Sequence, residues 1–408
     1  MFSPRLRTRF CGLELEHPFL LASAPPTASG PLIRTAFNYG WAGAVTKTVK
    51  PDTMELTDVS PRFSVLRDGR HDLAGFANIE LISPRPAAYW ADEIKLIKER
   101  YPEKILIASI MGDLEKRTWQ DMGVAFESAG SDALELNFSC PHGMPEKGVG
   151  AAIGQHADLT ESITRWVKEV TRIPVIVKLT PNVTDVAEVA LAAKRGGADA
   201  LAAINTVQCL TGVDLDTLEP LPSVRGKSSF GGYSGRAVKP IGLRVVAQAA
   251  AATGLPIMGM GGVTTWEDAA EYLAMGAGAV QVCTAVMARG FSVLIPMLKG
   301  LDAYLSRKGM ASPAALEGAA LGKIARHDAL DRAARVQAWQ AHPEKCTLCQ
   351  RCVLACSDAG TNALSISGLD LVIDPARCDG CSLCTYVCPT QVLSLRAAAV
   401  EPAMAVSA

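Results

Sequence analysis

An α/β chain folded as a (β/α)8 TIM barrel, with a small cysteine-rich domain after it, is the fold class this sequence predicts, and three observations carry the prediction. Between about Phe19 and Val282, short β-branched or apolar runs alternate with longer helical patterns. A weak glycine-centred repeat precedes several of those runs. Eight of the 12 cysteines then crowd between Cys346 and Cys388. The chain has 408 residues, 49% of them hydrophobic, and 35 glycines, enough for one barrel-sized domain plus something smaller. Its formal net charge of -1 offers no general attraction to nucleic acid or to an anionic membrane, so neither partner is implied.

The N-terminus is basic from Met1 to Arg9, but the apolar stretch 19–26 is short and runs into prolines. There is no signal-peptide pattern and no run of about 18 apolar residues able to span a bilayer, which points to the cytoplasm. The candidate strands are 19–23, 44–47, 105–110, 133–138, 175–179, 200–205, 257–261 and 279–282. Eight strands with helices between them are the signature of the barrel. Gly40-Trp41-Ala42-Gly43, Gly130-Ser131-Asp132-Ala133, Gly196-Gly197-Ala198-Asp199 and Gly276-Ala277-Gly278-Ala279 each sit just before a strand, where glycine can end a helix and turn the chain into the next strand. A doubly wound sheet would leave these regularly spaced strands without an obvious reversal point.

Two connections, 48–104 and 206–237, are unusually long for a compact domain unless they carry function. Both leave the C-terminal edge of the barrel, and the second contains a glycine- and serine-rich run, 226–235, flexible enough to close over a ligand. The barrel is assigned to 1–305, a helical connector rich in Ala, Arg and Asp to 306–343, the cysteine-rich domain to 344–396 and a frayed tail to 397–408.

In the cysteine-rich domain, Cys346, Cys349, Cys352 and Cys356 follow C-x2-C-x2-C-x3-C, and Cys378, Cys381, Cys384 and Cys388 repeat it with Pro389 next. Three close thiolates hold three corners of a 4Fe-4S cubane, while the fourth cysteine of each run ligates the other cluster. Cluster one is therefore assigned to Cys346, Cys349, Cys352 and Cys388, and cluster two to Cys378, Cys381, Cys384 and Cys356, in an α+β ferredoxin-like domain. Ser357 replaces the proline of the first run. Zinc is the alternative, but these triplets fit tetrahedral knuckles poorly. Clusters carry single electrons, so the barrel needs a group that passes electrons singly and in pairs, which a flavin does and a nicotinamide alone does not.

The stretch Asn137-Phe138-Ser139-Cys140-Pro141-His142-Gly143 follows an apolar run, so its polar groups emerge where a buried strand ends. In parallel α/β architectures ligands bind at that edge. The Cys140 thiol can give or take a proton there, while amide and hydroxyl groups hold a polar ring; a small buried cysteine in a turn is the bland alternative. His142 is read as a turn residue. Lys47 and Lys178 end the second and fifth strands, as site cations near a flavin or as strand-end surface charges. Gly259-Met260-Gly261-Gly262 with Cys283-Thr284 fits the phosphate site that barrels build after strands seven and eight. No G-x-G-x-x-G occurs in a strand-turn-helix setting, so this chain offers no place for NAD.

These residues resemble the dihydropyrimidine dehydrogenase family, whose barrel is of the dihydroorotate dehydrogenase type. The stretches that carry the resemblance are 21–24, 45–48, 107–111, 178–182, 205–207 and 232–235, with Asn78-Ile79-Glu80-Leu81-Ile82-Ser83 and Asn137 to Met144. They span almost the whole chain in the family's order, and barrel plus terminal clusters together match its bacterial two-subunit form. The resemblance implies FMN at the barrel mouth, contacted by Ala22, Ser23, Lys47, Thr48, Asn137, Lys178, Asn205, Gly235, Gly261, Gly262, Cys283 and Thr284. It implies a uracil or thymine ring held by Asn78, Asn137, Asn205 and Thr206, with Glu80 and Ile82 near it, and Cys140 as the acid that protonates C5 while hydride reaches C6. It also implies a separate FAD- and NAD(P)-binding subunit of the PreT type feeding electrons through the clusters, and a second copy of this chain, as a homodimer within a heterotetramer. Two other readings remain. One is a dehydrogenase on another ring such as dihydroorotate, for which a basic residue facing the carboxylate would speak. The other is a non-catalytic electron carrier, which would not need a proton donor in the barrel.

Overall fold

The computed structural model describes residues 3–67, 73–140 and 149–398. The chain divides into two compact units, Met1–Ile324 and Ala325–Ala408. In the first, a hairpin of β1 (Thr8–Phe10) and β2 (Leu13–Leu15) precedes the barrel strands β3 (Phe19–Leu21) and β4 (Gly43–Val45). The excursion strands β5 (Phe63–Arg67) and β6 (Leu73–Asn78) come next, then β7 (Ile105–Ile110), β8 (Ala133–Asn137), β9 (Val175–Lys178) and β10 (Ala200–Ala203). A second excursion holds β11 (Val207–Cys209) and β12 (Gly231–Ser234), before β13 (Ile257–Met260) and β14 (Ala279–Val282). The parallel barrel closes in the order β3, β4, β7, β8, β9, β10, β13, β14 and back to β3. All eight strands stand where the sequence predicts them, shorter by one or two residues at several ends.

Alternation along the strands divides their side chains between two cores. Leu20, Val45, Ile107, Ile176, Ala202 and Met258 fill the barrel interior, closed off by Phe10 and Leu15 of the hairpin. Phe19, Leu21, Leu106, Leu134 and Val177 point outward against the surrounding helices. The glycine repeat carries a second device that spacing alone does not disclose. Asp132 accepts from the Leu106 amide at 2.7 Å and from Lys98 at 2.8 Å, and Asp199 accepts from the Val175 amide and from Lys168, each at 2.7 Å. Each aspartate thus ties the start of the neighbouring strand to the helix packed outside it.

The two long connections meet. Their strands form an antiparallel sheet in the order β11, β12, β6, β5, pairing Asn78 with Gly232 and Val207 with Tyr233. Gly75 is required here, because a Cβ on it would lie 1.6 Å from the Tyr233 hydroxyl. The run expected to close as a flexible loop is therefore partly held in a sheet, with Gly231–Ser234 a paired strand. Glycine depresses strand propensity, which is why the strand is not legible in the sequence.

In the second unit β15 (Val336–Gln340) pairs with β18 (Leu393–Ala397), and β16 (Leu364–Ser367) with β17 (Asp370–Ile373), beside helices Arg351–Asp358 and Leu383–Val387. The stretch 306–343, expected to be a helical connector, keeps only the end of the helix Leu294–Arg307. Short 3-10 turns and β15 follow, broken by Gly309 and Gly318 at positive φ and by Pro313. The expected tail lies outside the described residues beyond 398. Among the described residues no helix is long and apolar enough to cross a membrane.

Candidate active site

The C-terminal strand ends and the four-stranded sheet enclose a cleft of about 1070 Å³ counted out to its open mouth. Every barrel residue named above for substrate or flavin lines it, and so does Cys140. His142 lies outside the described residues. Phe63, Phe76, Tyr233, Ile204 and Gln281 also line the cleft; Phe63 and Phe76 are not singled out by the sequence, because aromatic residues on short excursion strands carry no motif.

Strand register places the polar groups. Asn137 pairs with Lys178 across β8 and β9, and Ser109 with Glu135 across β7 and β8. The Asn137 side-chain amide donates to the Thr48 hydroxyl at 2.8 Å, which is itself bonded to Ser23 at 3.1 Å and Ser109 at 3.0 Å. Ser139 donates to Asn137 Oδ1 at 2.8 Å and receives Asn205 Nδ2 at 2.9 Å. The Thr206 backbone amide donates to Asn205 Oδ1 at 2.7 Å, fixing the side chain. Asn78 Nδ2 donates to the Gly232 carbonyl at 3.1 Å, which ties the sheet to the site. Amides pinned in this way present a fixed order of donors and acceptors to a ring.

The cations are matched by carboxylates. Lys178 lies 3.3 Å from Glu135, both buried, and Glu135 also accepts from Ser109 at 3.2 Å and from Gln281 Nε2 at 3.1 Å. Lys47 lies 2.9 Å from Glu80, which Arg62 reaches at 3.2 Å. Burial pushes the Cys283 thiol up to about 11, against the opposing pull of Lys178; it stays protonated at neutral pH.

The lining suits a flavin. Gln281 lines the cleft, and its Oε1 is buried with no hydrogen-bond partner. A Cβ on Gly262, which has φ 74°, would lie 2.8 Å from the Lys239 amide and 2.9 Å from the Gly235 carbonyl. Only glycine fits there, so the main chains at Gly235, Lys239 and Gly262 pack closely on the wall where main-chain N–H groups could meet a phosphate. Ser234 and Thr284 hydroxyls, 2.8 Å apart, stand beside it.

In the second unit, Cys346, Cys349, Cys352 and Cys388 line one cavity, and Cys356, Cys378, Cys381 and Cys384 line another. The fourth cysteine of each run lines the cavity of the other set. The two cavities measure about 340 and 320 Å³ counted out to open solvent. Four thiols lining each cavity match in number the four corners of a 4Fe-4S cubane.

A family model described as dihydroorotate dehydrogenase matches residues 5–305, and one described as a 4Fe-4S binding domain matches residues 371–393. The chain is 40% identical over 406 residues to the NAD-dependent dihydropyrimidine dehydrogenase subunit PreA of Escherichia coli (strain K12), covering 97% of this chain and 96% of that one. It is 37% identical over 353 residues to the chloroplastic dihydropyrimidine dehydrogenase (NADP(+)) of Arabidopsis thaliana, covering 84% and 83%. It is 38% identical over 318 residues to the catalytic subunit of dihydroorotate dehydrogenase B (NAD(+)) of Pyrococcus abyssi, covering 78% and 99%.

Proposed function

The chain belongs to the dihydroorotate dehydrogenase family, as an oxidoreductase acting on CH–CH bonds beside the dihydropyrimidine dehydrogenases, and from that premise we propose that it is the catalytic subunit of a dihydropyrimidine dehydrogenase. The reaction is reversible reduction of the 5,6-double bond of uracil or thymine. One observation carries the reading: Cys140 shares a cleft with Asn78, Asn137 and Asn205, in which both lining lysines are matched by carboxylates. Neutral amides can donate to and accept from the alternating N–H and carbonyl groups of an uncharged pyrimidine, and a buried array of that kind rejects rings without matching groups.

Bound FMN would supply the hydride delivered to C6 of the ring. Lys47 and Lys178 would meet its ring, and Gly235, Gly261, Gly262, Cys283 and Thr284 its phosphate. Asn78, Asn137, Asn205 and Thr206 orient the pyrimidine, with Glu80 and Ile82 at its edge. The thiol of Cys140 gives its proton to C5, and in the reverse direction takes it back. The aromatic wall of Phe63, Phe76 and Tyr233 keeps water from that transfer. Two 4Fe-4S clusters on the cysteine sets described above bring electrons from an FAD- and NAD(P)-binding partner subunit.

The test is anaerobic. Oxidised protein is mixed with dihydrouracil, and separately with dihydroorotate, while flavin absorbance is followed. Bleaching by dihydrouracil alone is the expected result. Bleaching by dihydroorotate alone would move the chain to the activity named for its archaeal relative, and no bleaching by either would leave an electron carrier.

A further inference from the structure

The two cysteine runs differ at the residue after the fourth cysteine, Ser357 in the first and Pro389 in the second, and the chain leaves the two cysteines differently. The helix Leu383–Val387 stops at Cys388, which is extended with ψ 112°, as a following proline favours. With serine there, the helix Arg351–Asp358 runs two residues past Cys356 before Gly360, at φ 83°, turns the chain. That turn brings Thr361 back to Cys356. The Thr361 and Asn362 amides both donate to the Cys356 carbonyl, each at 3.3 Å, which takes up its two lone pairs. The Thr361 hydroxyl lies 3.3 Å from that carbonyl and 3.0 Å from Cys356 Sγ, so the sulfur is the closer acceptor and the one left open. The Ala363 amide donates to the same sulfur at 3.2 Å. At Cys388 the amide is matched, Val392 donating at 3.3 Å, but the hydroxyl is not: that of Thr390 stands 3.8 Å from the sulfur.

We propose that Thr361 sets the reduction potential of one cluster through a hydrogen bond to its ligand Cys356. As an iron ligand Cys356 is a thiolate and can only accept, so the hydroxyl gives it a charge-assisted bond. When the cluster held by Cys356, Cys378, Cys381 and Cys384 takes up one electron, negative charge on its sulfurs grows, the bond from Thr361 strengthens and no proton moves. The hydroxyl therefore stabilises the reduced cluster more than the oxidised one and raises its potential. It works against the burial of Cys356, which favours the less charged state. Thr390, farther from its sulfur, does the same only weakly for the other cluster. The device biases where an electron from the partner subunit comes to rest in the second unit. The inference rests on the proposed pair of clusters, and iron content separates the failure of one from the failure of the other.

The test is a potentiometric titration of the full-length protein, purified without air, with the reduced clusters read by electron paramagnetic resonance. In Thr361→Val, close to isosteric, one of the two midpoint potentials is expected to fall so that the reduced-to-oxidised ratio at a fixed applied potential drops about tenfold, or about 59 mV for one electron. The other potential should hold within about twofold. Thr361→Ser, which keeps the hydroxyl, should bring the ratio back to within about threefold of the parent, and Thr390→Val should lower the other ratio by about threefold or less. Should Thr361→Val not hold its iron, Thr361→Ala set against Thr361→Ser makes the same comparison. Potentials that both stay within about twofold in a variant with full iron would overturn the inference. So would a Thr361→Ser protein shifted as far as Thr361→Val, since packing and not the hydroxyl would then be at work, or a Thr390→Val protein shifted as far. An unmodified protein that lacks the iron of two clusters would instead sink the proposed pair.

Discussion

Cys140 is buried three residues beyond the end of β8, and its carbonyl accepts the Ala151 amide at 2.9 Å, so the backbone that carries the thiol is anchored on its far side as well. The polar groups that would hold a ring are anchored without it: Asn137, Ser139 and Asn205 bond to one another and to Thr48. A cut at the sulfur should therefore remove proton transfer and leave binding. Cys140→Ala is expected to retain flavin and uracil affinity within about threefold while turnover falls by roughly 10² to 10⁴, the usual contribution of a positioned acid. Steady-state rates beside uracil titrations check this, and a variant that turned over like the parent would remove Cys140 from the reaction. The candidate residues are legible at this scale because their chemistry is local: polar side chains following an apolar run, glycines where a backbone must be bare. Glu135 and Gln281 are not. They sit inside β8 and β14, in runs that read as core, and only the closed barrel brings Gln281 Nε2 to within 3.1 Å of Glu135.

At the scale of elements, the barrel strands are legible because each is a short apolar run between helical patterns. The four-stranded sheet over the mouth is not, because its strands come from two connections far apart in sequence and carry glycine where they pair. Close approach takes the place of propensity there: Tyr233 lies over the bare Cα of Gly75, its hydroxyl 1.6 Å and its Cζ 1.9 Å from where a Cβ would stand. The Tyr233 ring also lines the cleft, so the fit that holds β6 and β12 together also shapes the site. Gly75→Ala should cost about 1–3 kcal/mol by overpacking and weaken pyrimidine binding by moving the ring. In a Tyr233→Ala background the same substitution should cost little, since the atoms it strikes are gone. Chemical denaturation of the four proteins in this cycle measures the coupling; additive effects would show that the contact carries neither stability nor shape.

At the scale of the whole molecule, the division at Ile324 sets the cleft-bearing unit apart from the cysteine-rich one, and on the proposed function it sets hydride chemistry apart from single-electron chemistry. Both hydrophobic clusters of the first unit are built from residues up to Leu316, and that of the second begins at Ala338; all the lining of the flavin cleft falls in the first and all the cluster cysteines in the second. The interleaved cysteines reinforce this: because Cys356 and Cys388 cross between the sets, neither cavity is complete without both runs, so the second unit holds its thiols together or not at all. A chain ended after Ile324 should therefore fold, keep its flavin and bleach anaerobically with dihydrouracil, since hydride and proton transfer need only the barrel. It should hold no iron and lose electron exchange with an FAD- and NAD(P)-binding partner, since no carrier of single electrons would remain. Flavin and iron content, bleaching by dihydrouracil, and pyridine-nucleotide-driven reduction of uracil with the partner added read these outcomes separately. Loss of bleaching in a truncated chain that still holds its flavin would mean that the second unit completes the site, and that the separation of hydride from single-electron chemistry along this sequence is not as clean as its two cores suggest.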